Sequence, residues 1–149
     1  MFGRKFLGFT FWVAPGGEVK RKVAAKPLQT FKRRIRRLTR RSGGRSLQQV
    51  VERLRAYVPG WKAYFRLAQT PGVFKDLDQW MRHRLRAIQL KQWKRGKTIY
   101  RELMALGANP DVARRVAANS RRWWRNSAKL LHAGLTLRWS DKLGLPRLA

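Results

Sequence analysis

Leu28-Gln29-Thr30-Phe31-Lys32-Arg33-Arg34-Ile35-Arg36-Arg37-Leu38-Thr39-Arg40-Arg41 is the stretch that decides the fold class. Phe31, Ile35 and Leu38 recur at i, i+4 and i+7, the spacing that places side chains on one face of a helix. Lys32, Arg33, Arg34, Arg36, Arg37, Arg40 and Arg41 occupy the other faces, seven cations in ten residues with no acid between them. A helix face that is merely solvated mixes its signs, so this one calls for a counter-charge from outside. Ser42-Gly43-Gly44 supplies the stop, glycine being the residue that adopts the left-handed turn after a last helical residue.

The same reading extends in both directions. Ser46 opens a second helix with Gln49 as the return partner of a capping box, and Leu47, Val50, Val51 and Leu54 form its apolar stripe. Pro59-Gly60 is expected to break or kink that helix, with Trp61, Tyr64, Phe65 and Ala68 continuing an aromatic face behind it. Thr70-Pro71 starts a long helix carrying Phe74, Leu77, Met81, Leu85, Ile88 and Trp93 on one side, and Gly96 weakens its end. Thr98 to Leu106, stopped by Gly107, and Asn109-Pro110 through about Asn119 read as two shorter helices. The tail from Ser120 to Ala149 has no clean period and reads as one or two short helices folded back on the rest. Upstream, Phe6 to Val13 is rich in β-formers and Pro15-Gly16-Gly17 is a turn signal before Glu18 to Val23, which together predict a β-hairpin. A first strand apolar on both faces expects a sheet partner or a covering surface. The expected fold is therefore mainly α, a helical bundle over residues 27–149 preceded by a β-hairpin stub in residues 1–26.

The 149 residues carry 36 Lys+Arg against 7 Asp+Glu, a formal net charge of +29. Hydrophobic residues make up 44%, including seven Trp and seven Phe, enough for a packed core and too many for a disordered basic tail. A compact body with that charge repels itself and needs a polyanion. Arg outnumbers Lys by 24 to 12, and arginine's planar fork grips phosphate bidentately and stacks on bases. An anionic membrane would favour a lone amphipathic helix rather than charge spread over segments that also build a core. Nucleic acid is the expected partner and a membrane is not. The absence of cysteine excludes a disulfide scaffold and Cys-ligated zinc, and Met1 to Ala14 lacks a signal-peptide layout. Both features fit an intracellular, cytoplasmic protein.

Catalytic chemistry is hard to assemble. The acids are Glu18, Glu52, Asp76, Asp78, Glu102, Asp111 and Asp141. Only Asp76 and Asp78 are close, and two apart on a helix they diverge, whereas two-metal enzymes need clustered carboxylates. An early-turn position favourable to the helix dipole is the plainer reading of both. His83 and His132 have no nucleophile or carboxylate at a useful spacing, so His83 is expected to be solvated or phosphate-facing. No catalytic residue, metal ligand or cofactor is assigned.

Several motifs in order carry a resemblance. Gly60-Trp61-Lys62-Ala63-Tyr64-Phe65, then Phe74 through Arg86 with Leu77-Asp78-Gln79-Trp80-Met81-Arg82-His83-Arg84-Leu85-Arg86 at its centre, then Gln92-Trp93-Lys94, resemble the maturase-specific domain of group II intron reverse transcriptases. That family's pattern runs Gly-Trp-x-x-Tyr-Phe, Leu-Asp-x-Trp-Ile-Arg-x-Arg-Leu-Arg and Gln-Trp-Lys. Trp124-Arg125-Asn126-Ser127 and Leu143-Gly144-Leu145 resemble its closing segment, and Phe6-Leu7-Gly8-Phe9 resembles the last strand of the polymerase palm. The resemblance implies a helical thumb that binds group II intron RNA or an RNA–DNA template–primer duplex and aids splicing. The family's Tyr-Ala-Asp-Asp catalytic motif does not occur in this sequence, so polymerase activity is not implied. A start at the palm's last strand is what a truncated reading frame, a split protein or an excised piece would show.

The RNA-contacting residues expected are Lys32, Arg33, Arg34, Arg36, Arg37, Arg40 and Arg41 first. The basic side of the long helix follows, with Arg82, Arg84, Arg86, Lys91, Lys94 and Arg95, and then Arg121, Arg122 and Arg125. Trp123 and Trp124 between the last set are open to core packing or base stacking, while Trp61, Trp80 and Trp93 are expected in the core. Two other readings stand beside this one: a general nucleic-acid-coating protein, and a thumb subunit that completes a separate finger–palm reverse transcriptase chain.

Overall fold

A computed structural model describes residues 5–6, 8–40, 44–69, 71–130 and 134–149. It is mainly α with a small β-sheet at the start, as the periodicities predict. Strand β1 (Lys5–Phe6) pairs antiparallel with β2 (Phe9–Val13), which pairs antiparallel with β3 (Val19–Val23) in the register Phe9 to Val23 through Val13 to Val19. Gly8 separates the first two strands at φ 85°, and a Cβ there would come within 3.1 Å of the Phe65 ring. The strand is covered on one side: Phe9, Val23 and Phe65 form a small buried cluster, with Leu28, Trp61, Ala68 and Phe74 packed against it. Gln69 closes part of the sheet edge, accepting from Arg21 N–H through Oε1 at 2.9 Å and donating its own N–H to Arg21 C=O at 2.7 Å.

Helix α1 (Ala25–Leu38) begins three residues before Leu28 and ends before Arg41. Its early start is possible because Pro27 falls in the first turn, where an N–H has no intrahelical partner to lose. Its end is set by Thr39, which leaves helical geometry and whose Oγ1 donates to Ile35 C=O at 2.6 Å. Arg41, Ser42 and Gly43 of the expected terminus lie outside the described residues. Helix α2 (Leu47–Phe65) carries the full capping box: Gln49 N–H donates to Ser46 Oγ, and Ser46 N–H donates to Gln49 Oε1. Pro59 does not break it. Arg55, Pro59 and Gly60 are exposed, so the carbonyl that proline leaves unpaired turns to water while Val58 and Phe65 stay buried.

Helix α3 (Pro71–Trp93) is the spine; Thr70, the expected cap, lies outside the described residues. Its Leu77, Met81, Leu85 and Ile88 join Phe31, Ile35, Leu54 and Val58 in a first core, closed from below by Leu145 and Leu148. Its Leu90 joins a second core built from α4 (Gly96–Ala105), α5 (Pro110–Ala118), Leu130 and Leu135. Gly96 opens α4, and any Cβ there would lie 2.5 Å from Ala117 C=O. Glycine is thus required by the close approach of α4 and α5, not tolerated as a weak point. Asn109 caps α5 by accepting Asp111 N–H at 2.9 Å. The tail forms α6 (Trp123–Lys129) and α7 (Leu137–Leu143), as its scattered apolar residues imply.

Candidate nucleic-acid interface

The basic surface is organised by α1. Its apolar stripe is fully buried, with Phe31 and Ile35 at 0% exposure, so Lys32, Arg33, Arg34, Arg36, Arg37 and Arg40 are all turned outward. None of them meets an acid: the ion pairs among the described residues are Arg101–Glu102, Arg114–Asp111 and Arg147–Asp141, all elsewhere. The α1 guanidiniums rest instead on aromatic rings. Arg34 lies 5.7 Å from the Tyr57 ring centre and Arg36 lies 5.5 Å from that of Trp80. Burial of Tyr57 raises its pKa in spite of the nearby Arg34 charge. Such contacts hold a guanidinium's plane and leave its N–H edge available for phosphate.

The long helix splits its cations between two sides, because residues two apart on a helix differ by about 200°. Arg84 turns toward α1, where its Nε donates to Thr39 Oγ1 at 2.6 Å and its guanidinium lies 5.5 Å from the Trp80 ring. Arg36, Trp80 and Arg84 therefore form one continuous patch joining α1 to α3. Arg82 and Arg86 turn the other way, toward α6 and α7. Arg86 is a correction to the expected basic face: it is 4% exposed, and its Nε donates to Ser127 C=O at 2.9 Å. The reason is that α3 is packed on two sides, so its buried arc is wider than its apolar stripe and takes in Asp78 and Arg86 as well. Burial and the repulsion of Arg82 push the Arg86 pKa down to about 10. Ser127 lies in the last turn of α6, where carbonyls carry the negative end of the helix dipole, and this partly offsets the buried charge.

The remaining expected positions are dispersed. Lys91 sits over the Trp123 ring at 5.2 Å, and Lys94 (φ 63°) and Arg95 are exposed in the α3–α4 link. Arg121, Arg122 and Arg125 are exposed around the start of α6. The two adjacent tryptophans divide: Trp123 packs half-buried against the second core, whereas Trp124 is 43% exposed and stacks on His83 with ring centres 3.7 Å apart. His83 is half-buried, and its Nε2 lies 2.9 Å from Trp124 C=O, so one ring nitrogen is engaged within the protein. Burial lowers its pKa, and Arg86 and Arg84 add to the shift. His132 lies outside the described residues. Trp61 and Trp93 pack against the two cores as expected, while Trp80 is core-packed on one side and arginine-covered on another.

Asp78, expected at a helix-dipole position, is 4% exposed and accepts the Leu148 and Ala149 N–H groups at 2.7 and 2.9 Å. No group of three or more His, Cys, Asp or Glu side chains able to hold a metal occurs among the described residues. None of their helices is long and apolar enough to cross a membrane. Arg138, exposed in α7 and lining the same groove as Arg82, belongs with the basic surface and was hidden by the tail's lack of period.

Residues 28–107 match the family model of the group II intron maturase-specific domain. That span is more than half of the chain, and the chain belongs to this family. The matched region runs from α1 through the end of α4 and so includes the whole arginine patch. No curated protein sequence gives a significant match.

Proposed function

We propose that this domain binds group II intron RNA, or an RNA–DNA duplex formed on it, and thereby aids splicing in the cytoplasm. The observation that carries the reading is the outward face of α1 with Arg40 just past its end, six described cations from Lys32 to Arg40 with no acidic partner, lying inside the region that matches the maturase family. Contacts of this kind grip phosphates and set the register of the protein on its RNA; they carry little sequence information. The role proposed for this domain is binding, with polymerase chemistry left to the family's palm. The hairpin of residues 1–26 is read as the palm's last strands, with the maturase-specific bundle in 27–149.

The test is a filter-binding series on structured intron RNA. A protein touching ~6–10 phosphates loses on the order of 10³–10⁵ in affinity between 50 and 200 mM salt. Replacing Arg33, Arg34, Arg36 and Arg37 with Gln should weaken binding and flatten the salt slope while the far-UV helical signal persists. A flat wild-type series would overturn the reading. Competition by random duplex RNA separates a domain selective for intron RNA from a general coating protein. The thumb-in-trans reading has its own support in an apolar groove of about 490 Å³ formed by Gly8, Ala24, Pro27, Trp61 and Phe65. A separate finger–palm chain would cover it, and co-purification of the two chains tests that.

A further inference from the structure

Bordering the Trp80 patch lies a groove of about 900 Å³ between α3, α6 and the start of α7. Its wall carries Arg82, Arg86 and Arg138 against a single carboxylate, Asp76, with Trp80 and His83 as aromatic surfaces. Arg86 is the unusual member. It is almost wholly buried, its Nη1 has no hydrogen-bond partner, and none of the ion pairs among the described residues involves it. A buried guanidinium is tolerated when its charge and all its donors are matched, and the Ser127 carbonyl matches only Nε. The walls of the groove thus carry three guanidiniums against one carboxylate, a balance of charge that suits an anion with several acceptor oxygens.

We propose that this groove is a phosphate pocket, which seats one phosphodiester of bound RNA over the Arg86 guanidinium with Arg82 and Arg138 closing on its outer oxygens. The proposal rests on the RNA-binding reading and adds a second contact, lined from three helices, to the one on α1. Phosphate is tetrahedral and multiply accepting, so it can take donors from more than one of the guanidiniums that line the groove. The burial of Arg86 strengthens its interaction with an anion relative to those on the solvated α1 face.

The Arg86 Nε–H, being buried, gives a proton–nitrogen NMR signal that reports on the pocket alone. The full chain is titrated with inorganic phosphate, with chloride at matched ionic strength, and with decauridylate. Phosphate and the oligonucleotide should both move this signal saturably, the oligonucleotide at a concentration roughly tenfold or more lower because neighbouring contacts act together. Chloride should not. Replacing the rim pair, Arg82→Gln with Arg138→Gln, should weaken the response to the oligonucleotide about tenfold while leaving far-UV dichroism unchanged. Equal responses to phosphate and chloride would overturn the pocket. A response to phosphate without one to the oligonucleotide would overturn its assignment to RNA. If the oligonucleotide binds in a filter assay but leaves the Arg86 signal unmoved, the pocket fails and the α1 interface stands; if no RNA binds at all, both fail.

Discussion

The two sides of α3 are held by different forces. Toward α1 and α2 the contact is a layer of aliphatic and aromatic side chains, with Phe31, Ile35, Val51, Leu54, Met81 and Leu85 all at 0% exposure. Toward the tail, apolar contacts are joined by polar ties between distant parts of the chain. Arg86 bonds Ser127 C=O, His83 bonds Trp124 C=O, and Asp78 takes the last two backbone N–H groups. Within the tail, Asn126 Nδ2 donates to Asn119 C=O at 2.8 Å. A hydrophobic layer accommodates many sequences of the right volume, whereas each polar tie requires its particular partner. The first side sets the fold and the second side fixes where the tail lies.

The contrast can be broken most severely from the apolar side. Met81→Ala should cost ~2–5 kcal/mol, because the cavity opens where α1, α2 and α3 meet, and it should lower the urea midpoint of the whole domain. Asp78→Ala should cost about 1–3 kcal/mol by orphaning the buried Leu148 N–H. Its signature differs: hydrogen exchange of the Leu148 and Ala149 amides should accelerate while that of the Leu54 amide follows only the global loss. Equal acceleration at both places would mean that the tail is not a separately held unit. The smallest effect belongs to His83. Its folded pKa lies below the ordinary 6.5, so the unfolded chain takes up the proton first as pH falls. The stability from this group is complete above pH 6.5 and is lost as pH drops through the folded value. His83→Phe keeps an aromatic ring against Trp124 and should flatten that part of the stability–pH curve measured by urea denaturation.

Much of the first side was legible in the sequence. Period-3.6 stripes located α1, α2 and α3; Ser46 with Gln49, and Asn109 with Pro110, marked two helix starts at the right residues. Local rules failed where the outcome depended on what lies across the helix. Pro59 is a helix breaker by propensity, but on an exposed face its missing hydrogen bond is replaced by water. Gly96 read as a weak point because the approach of Ala117 is a contact between two helices. Arg86 resembled its neighbours Arg82 and Arg84 in sequence, and only the packing of α6 buries it. The open α1 face was visible as a run of like charges; the groove was not, since its walls come from three helices and its tail residues follow no period.

The scarcity of ion pairs among the described residues, with α1 having none, makes the domain a folded polyelectrolyte as much as a globule. Added salt screens repulsion among its own cations and, on the proposed reading, also screens their attraction to RNA. Folding and binding therefore answer the same variable with opposite signs. On the proposed reading, RNA offsets the charge of α1 at low ionic strength, and small ions take over that task at high ionic strength.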